Sequence, residues 1–369
     1  MKVVIAAAGT GGHINPGLAI ANKIQKEQRQ SEVLFIGTTY GLENDLVPRS
    51  GYPLKTIEAH GLSKEISIQN LKNIVGTIKG IGQAKKILQE FKPDIVIGTG
   101  GYICGPVMMA AQKLKIPTIL HESNAFPGRA VKMLSKKVNT VLVGFKEAKE
   151  RLPNAKRVVV TGTPTKIKEL HNIDKEKIRQ ELKLDKKLPI LLVFGGSQGA
   201  RTINNSVLDL VFTNKIENYQ MIWAPGPKQF DIIKQKLEEK NKDIKNIKNA
   251  KVIPYIYNME EMMNLADLLL CRSGAMTINE IAEVGKPSIL IPLPNVSQNH
   301  QEYNAKVLEK VGAAKIILDK DLNGDILNQT IQNLLEKEET LRQMGRNAKK
   351  VAISDIEDKI YQEILRILK

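Results

Sequence analysis

The chain has little of what would tie it to several large protein classes. Only two cysteines, Cys104 and Cys271, stand among 369 residues. They lie far apart and form no ligand spacing, so neither a disulfide framework nor a cysteine metal site is expected, and a reducing compartment is. Aromatic residues make up 4%, with one tryptophan. No helix-turn-helix, zinc-finger or RNP-like pattern accompanies them, which makes nucleic acid the least expected partner. Long apolar runs are missing too. The first one ends at Ala8 and passes straight into a glycine turn, too short for a signal peptide, and no later run approaches a membrane span. Acidic residues are outnumbered 39 to 55, leaving a net charge of +16. An anionic substrate or an anionic membrane surface accounts for that surplus better than nucleic acid does.

What is present is an ordinary globular composition, 42% hydrophobic and 25% charged. The length exceeds one core, so two domains are expected. Apolar runs at residues 2–8, 33–36, 54–57, 94–97, 118–121 and 140–143 predict strands. Helical patterns at 71–91, 106–114 and 129–135 fall among them. The alternation restarts with strands at 188–194, 220–223, 250–254, 268–270, 288–291 and 314–317, and a helix at 353–368 closes the chain. Strands alternating with helices predict doubly wound parallel sheets. The two halves join near residues 162–170.

Glycine-rich turns follow several of these strands. Gly9-Thr10-Gly11-Gly12-His13-Ile14-Asn15-Pro16 lies between a strand and a helix start. Glycine lets the backbone approach a ligand, and a helix N-terminus points N–H groups at negative charge. The dinucleotide spacing G-x-G-x-x-G is not met, because its third position falls on Ile14. A phosphate site is the favoured reading, and close helix–strand packing the plain one. His13 is the side chain there suited to moving a proton near neutral pH. Gly98-Thr99-Gly100-Gly101-Tyr102 is a second such turn, and Gly195-Gly196-Ser197-Gln198-Gly199-Ala200-Arg201 a third. After strand 268–270, Cys271-Arg272-Ser273-Gly274-Ala275-Met276-Thr277-Ile278-Asn279-Glu280 opens another helix. A diphosphate suits that helix start, and Glu280, three residues after Thr277, suits the two hydroxyls of a ribose. From these residues alone, a plain capped helix with an early glutamate is the simpler reading. Asp319-Lys320-Asp321 matches D-x-D, but its place just before a helix reads as a turn and cap, not as a metal site.

These blocks, with His121-Glu122-Ser123-Asn124-Ala125 and His300-Gln301-Glu302-Tyr303-Asn304-Ala305, occur in an order and spacing that resembles the MurG family. Those bacterial enzymes transfer N-acetylglucosamine to a lipid-linked muramyl-pentapeptide. The resemblance runs from Val3 to about Ala348. It implies an α/β GT-B fold, two Rossmann-like doubly wound parallel-sheet domains facing a cleft. Residues 1–163 would form the acceptor and membrane-side domain and 164–349 the UDP-sugar domain, with a final helix at 350–369 packing back on the first. For UDP-N-acetylglucosamine, it implies that Ser197 serves the diphosphate or sugar region and that the backbone of Ile256 pairs with uracil. Ala275, Met276 and Thr277 would line the diphosphate, Glu280 would hold the ribose, and Gln301 would reach the sugar hydroxyls. Thr10, Gly11, Gly12 and Asn124 would meet the sugar from the first domain. Gly11, Gly12, Gly100 and Gly101 would take the acceptor diphosphate. Where many relatives carry Gly-Asn-Pro-Val-Arg, this chain has Gly162-Thr163-Pro164-Thr165-Lys166. Lys166 keeps the charge of that arginine but loses its planar fork.

The implied chemistry is inverting transfer to the 4-hydroxyl of the muramyl sugar of lipid I. His13 would be the base and Glu122 the next candidate, with no metal or other cofactor. UDP-sugar epimerases and diacylglycerol glycosyltransferases share the fold and form the alternative. A polyprenyl-linked acceptor implies a peripheral protein on the cytoplasmic face of the cell membrane, where other cell-wall enzymes are further partners. Leu71, Ile74, Val75, Ile78 and Ile81 recur at helical spacing near Lys72, Lys79, Lys85 and Lys86. That stripe reads as a core face or as a contact with the anionic inner membrane surface.

Overall fold

The computed structural model describes all residues except 62–67, 166, 168–169, 171–172 and 197–198, and gives the backbone alone for 68–72 and 74. The described chain divides into two compact units. The first is Met1–Thr165 with Ile353–Lys369, and the second is Lys166–Ala352.

In the first unit the elements run β1 (Lys2–Ala7), α1 (Gly11–Glu27), β2 (Glu32–Gly37), α2 (Glu43–Arg49), β3 (Leu54–Thr56), α3 (Ile68–Phe91), β4 (Ile95–Gly100), α4 (Cys104–Lys113), β5 (Thr118–Glu122), α5 (Arg129–Leu134), β6 (Thr140–Val143), α6 (Lys146–Glu150) and β7 (Val158–Val160). The seven strands are ordered β3-β2-β1-β4-β5-β6-β7, and every described pairing is parallel. Strand order reverses between β1 and β4, and ligands of doubly wound sheets bind outside the carboxyl ends of the strands at such a point. Both faces are covered, which is why β1, β2 and β4 are apolar runs with no alternation. α1 packs very close to the sheet at Gly17, where a Cβ would lie 3.1 Å from Ile5 Cγ2 and 3.3 Å from Phe35 Cε1.

The second unit runs α7 (Lys175–Glu181), β8 (Ile190–Phe194), α8 (Arg201–Phe212), β9 (Gln220–Ala224), α9 (Pro227–Glu238), β10 (Ala250–Val252), α10 (Met259–Leu265), β11 (Leu268–Cys271), α11 (Ala275–Val284), β12 (Ser288–Leu290), α12 (His300–Lys310), β13 (Ala314–Ile316), α13 (Gly324–Leu335) and α14 (Glu338–Lys349). Its six-stranded sheet is ordered β10-β9-β8-β11-β12-β13, again parallel. Here the reversal falls between β8 and β11. Trp223, fully buried, donates its indole N–H to Asn204 Oδ1 at 3.0 Å, so its one polar atom is satisfied inside the core.

The chain then returns to the first unit as α15 (Ile356–Leu368), three residues later than its apolar pattern suggests. Asp355 precedes it with φ 55°, a left-handed turn that stops the helix from extending back to Ile353. Ile360 and Ile364 are buried in the core around α1, and Lys23 pairs with Asp358 at 2.6 Å. Glu363 takes a bidentate Arg157 at 2.8 and 3.1 Å, and the arginine holds its carboxyl below the usual range. β7, a run of three β-branched residues at the sheet edge, is absent from the strands expected from sequence.

Candidate active site

The two glycine turns at the reversal point of the first sheet meet each other. Thr10 caps α1 by accepting the N–H groups of His13 and Ile14 at 3.0 and 3.2 Å. Its side chain makes no cap, and Pro16 has no N–H to offer the Gly12 carbonyl, so the first turn keeps unsatisfied polar backbone. His13 Nδ1 lies 3.2 Å from the Ala8 carbonyl oxygen and 3.5 Å from Thr10 Oγ1. A carbonyl only accepts, so Nδ1 carries a proton, and in the neutral tautomer with that bond the lone pair sits on Nε2. From β4, Thr99 donates its hydroxyl to the His13 carbonyl at 2.8 Å. Gly100 and Gly101, with φ of +123° and +82°, then pass directly beside the imidazole. A Cβ on Gly100 would stand 2.3 Å from His13 Cδ2, and one on Gly101 2.6 Å from the Ala8 oxygen. Thus Thr10, Gly11, Gly12, His13, Gly100 and Gly101 form one constellation.

Glu122, at the end of β5, braces a loop. Its Oε1 accepts the backbone and side-chain N–H groups of Asn124, both at 2.9 Å, and its Oε2 accepts Gly128 N–H at 2.8 Å. With three donors on two oxygens, this carboxylate shapes the loop that leads into α5 and orients Asn124. Its neighbour His121 is fully buried and bonded to the Gly162 carbonyl at 3.1 Å, and burial pushes its imidazole down to about 4.

In the second unit, Gly195 and Gly199 make the turn between β8 and α8 tight. A Cβ there would meet Ala200 N at 2.3 Å and the Pro225 carbonyl at 2.2 Å. Ser197, in that turn, and Lys166 lie outside the described residues. On the neighbouring strand, Gly274 precedes α11 with no side-chain cap, leaving the N–H groups of Ala275, Met276 and Thr277 without helical acceptors. Ser273 and Asn304 brace the turn: Ser273 Oγ donates to the Gln301 carbonyl at 2.8 Å, and Asn304 Nδ2 donates to the Ser273 carbonyl at 3.2 Å. Gln301 accepts Leu293 N–H on its Oε1 at 3.0 Å, which fixes the amide and turns its donors the other way.

Glu280 lies along this helix. It keeps part of its surface exposed, yet protein crowds its carboxyl, and burial pushes it up to about 7. No described residue donates a hydrogen bond to it. Ile256 is a comparable orphan. Its side chain is buried, while its backbone N–H and C=O make no hydrogen bond to a described residue. Tyr255 and Tyr257 flank it, edge to face at 5.0 Å, with Tyr257 92% exposed. Asp319 of the D-x-D sequence sits in a short 3₁₀ turn, where Arg272 takes one carboxylate oxygen and Thr202 donates to the other at 3.0 Å. Thr99, Arg272, Ser273 and Asn304 stood in the sequence blocks without these roles, and Thr202 was not singled out. Each acts by touching residues remote in the chain, which no local pattern signals.

Two doubly wound parallel-sheet units, each with a glycine turn at its strand reversal, define a GT-B protein. Residues 3–143 match the N-terminal domain of glycosyltransferase family 28, and residues 190–360 its C-terminal domain. The chain is 44% identical over 370 residues to the UDP-N-acetylglucosamine–N-acetylmuramyl-(pentapeptide) pyrophosphoryl-undecaprenol N-acetylglucosamine transferase of Acetivibrio thermocellus, covering 100% of this chain and 99% of that one. The corresponding transferase of Ruminiclostridium cellulolyticum is also 44% identical, with 100% of both chains covered. Among solved structures, Acinetobacter baumannii MurG superposes with a TM-score of 0.79 at 29% identity over 99% of each chain. The chain belongs to glycosyltransferase family 28, among its MurG-type transferases.

The close approach at Gly100 can be tested directly. Gly100→Ala should displace the imidazole and strain a left-handed backbone, lowering turnover roughly tenfold or more while nucleotide binding by the second unit holds. Steady-state kinetics and calorimetry with UDP separate the two, and unchanged turnover would mean the ring position is immaterial.

Proposed function

We propose that the chain is an inverting N-acetylglucosaminyltransferase, moving N-acetylglucosamine from UDP-N-acetylglucosamine to the 4-hydroxyl of the muramyl sugar of lipid I. The product is the β-1,4-linked lipid II of peptidoglycan synthesis. The observation that carries this reading is the match over the whole chain, at 44% identity, to relatives named for that transfer. An epimerase would interconvert the sugar without acceptor. A diacylglycerol glycosyltransferase would transfer to a different lipid. Transfer of labelled N-acetylglucosamine to a muramyl lipid, with UDP release dependent on that acceptor, distinguishes all three.

His13 takes the proton of the attacking hydroxyl on Nε2, the nitrogen that its bond to Ala8 leaves with the lone pair. C1 of the sugar inverts from α to β as the bond to UDP breaks. Negative charge grows on the departing diphosphate, and the open N–H groups of Ala275, Met276 and Thr277 meet it as fixed dipoles. Glu280 accepts the ribose hydroxyls, the Ile256 backbone pairs with uracil, and the Gln301 amide donors reach the sugar. Family resemblance also assigns the sugar to Thr10, Gly11, Gly12 and Asn124. Gly11, Gly12, Gly100 and Gly101 take the acceptor diphosphate. Ser197 and Lys166 keep the parts that family resemblance gives them. No metal is assigned a role, and the engagement of Asp319 by Arg272 and Thr202 supports that.

We place the enzyme peripherally, on the cytoplasmic face of the cell membrane. Among the described residues no helix is long and apolar enough to cross a membrane. The stripe on α3 divides. Val75 and Ile78 are 61% and 64% exposed, while Ile81 packs against the core beside buried Ala84 and Leu88. The side chains of Leu71 and Ile74 lie outside the described residues. Two exposed aliphatic residues on a lysine-bearing helix suit an anionic leaflet, where other cell-wall enzymes would also be met.

Three outcomes are expected. Nucleotide-sugar affinity should fall about tenfold from pH 8 to pH 6. Glu280 titrates near 7 when free, only its ionised form accepts both hydroxyls, and binding below 7 must release its proton. In Glu280→Ala that pH dependence should vanish and affinity drop by about 2–4 kcal/mol. Calorimetry with UDP-N-acetylglucosamine, whose esterified diphosphate does not titrate in this range, checks both. His13→Ala should lower kcat roughly 100-fold or more with little change in the nucleotide-sugar KM; survival within a few-fold would remove it as the base. The double variant Val75→Ser, Ile78→Ser should bind anionic vesicles more weakly while turning over soluble acceptor normally. Parental vesicle binding would put the membrane face elsewhere.

A further inference from the structure

A fully buried carboxylate stands behind the first glycine turn. Glu43, the first residue of α2, is 0% exposed. Its Oε1 accepts Thr38 N–H at 2.9 Å and the Thr38 hydroxyl at 2.7 Å, and its Oε2 accepts Gly9 N–H at 2.9 Å. Two glycines make room for it. A Cβ on Gly37 would lie 2.6 Å from Glu43 Cγ, and one on Gly41 1.9 Å from Oε2. Arg49, on the same helix, pairs with Asp45 at 2.7 Å, and among the described residues no lysine or arginine pairs with Glu43. A buried charge without a counter-ion is costly unless hydrogen bonds hold it. Here one of those bonds comes from the turn that carries His13.

Gly9 N–H and Ala8 C=O are the two ends of a single peptide group. The N–H donates to Glu43, and the C=O accepts from His13 Nδ1 at 3.2 Å. Carboxylate, peptide and imidazole therefore form one hydrogen-bonded chain, roughly 8 Å from end to end. An N–H that donates to a carboxylate polarises its peptide and makes the carbonyl oxygen a stronger acceptor. That strengthens the bond to Nδ1–H and favours the imidazolium formed when Nε2 takes a proton. We propose that Glu43 is a positioning residue for the transfer reaction, holding the tautomer of His13 and raising its basicity through the Ala8–Gly9 peptide.

The arrangement parallels a carboxylate bonded directly to a catalytic histidine, with a peptide unit interposed. Among the described residues, few titratable groups face this chain. Tyr40 and Tyr102 stack at 6.3 Å, and His60 stacks on Tyr40 at 6.0 Å. Burial, its bond to Tyr102 and the charge of Glu43 push the Tyr40 phenol up. The Cys104 thiol, bonded near Gly100, is pushed up to about 12 by burial.

This inference rests on His13 as the base, and the experiment keeps the two apart. In the full chain carrying Glu43→Gln, the His13 ring followed by NMR should titrate about one pH unit lower than in the parent, the size expected of a charge at that distance in a partly buried site. The acid limb of kcat/KM should move down with it, and kcat should fall about tenfold with the KM for nucleotide-sugar unchanged. Added to His13→Ala, Glu43→Gln should lower turnover less than twofold further. An unshifted His13 titration, or a full loss in the His13→Ala background, overturns the proposal. A shifted titration in a protein whose His13→Ala variant keeps its turnover would leave the link intact and remove His13 as the base. If Glu43→Gln does not fold, the parent itself answers. The Gly9 amide resonance should move with the midpoint of His13, and an amide indifferent to that ionisation overturns the link.

Discussion

The absence of side chains at Gly100 and Gly101 is the constraint on which the first unit's site depends. A parallel sheet sends all its strands toward one edge, and only where strand order reverses do two neighbouring turns diverge to leave a crevice. Backbone can come within contact of the His13 ring there because a Cβ on Gly100 would occupy the ring's space and one on Gly101 that of the Ala8 oxygen. The positive φ of both residues carries β4 around the imidazole and into α4. From that contact follow the ring's orientation, the bond from Nδ1 to Ala8, and the placing of a lone pair on Nε2.

The second unit solves the same topological problem with different chemistry. Its reversal point also holds a glycine turn and a helix start, but its titratable group is a carboxyl. Three glutamates show how environment assigns roles to one side chain. Glu43 and Glu122 are each saturated by three donors and hold loops in place. Glu280 has burial without donors from described residues, and that burial pushes its carboxyl up to about 7. A saturated carboxylate shapes structure, while an unsatisfied one awaits a partner.

The surplus of positive charge is compatible with this division. Both glycine turns run into helix starts whose first N–H groups have no side-chain cap. Arg272, the basic residue nearest in sequence to the α11 turn, is spent on Asp319 and the carbonyls of Ile291 and Pro292. Fixed dipoles need no reorganisation as charge develops, which suits a leaving group better than mobile side chains do.

Much of the fold was legible along the chain. Apolar runs followed by glycine turns mark β1, β4, β8 and β11, because a strand buried on both faces must be apolar and its exit turn must be tight. β7 escaped notice since three residues at an edge carry little pattern. The α3 stripe could be read in two ways, and packing divides it: Ile81 packs against the core beside buried Ala84 and Leu88, while Val75 and Ile78 are exposed. Sequence alone therefore determined the two-fold α/β plan and the glycine turns, since these depend on residue type and short spacing. Only tertiary structure decided that Glu122 shapes a loop, that Asp319 is bound to Arg272, and that Glu43 reaches His13 through a peptide. A carboxylate's role is set by the donors around its oxygens, and those donors come from parts of the chain that meet only when the sheet closes.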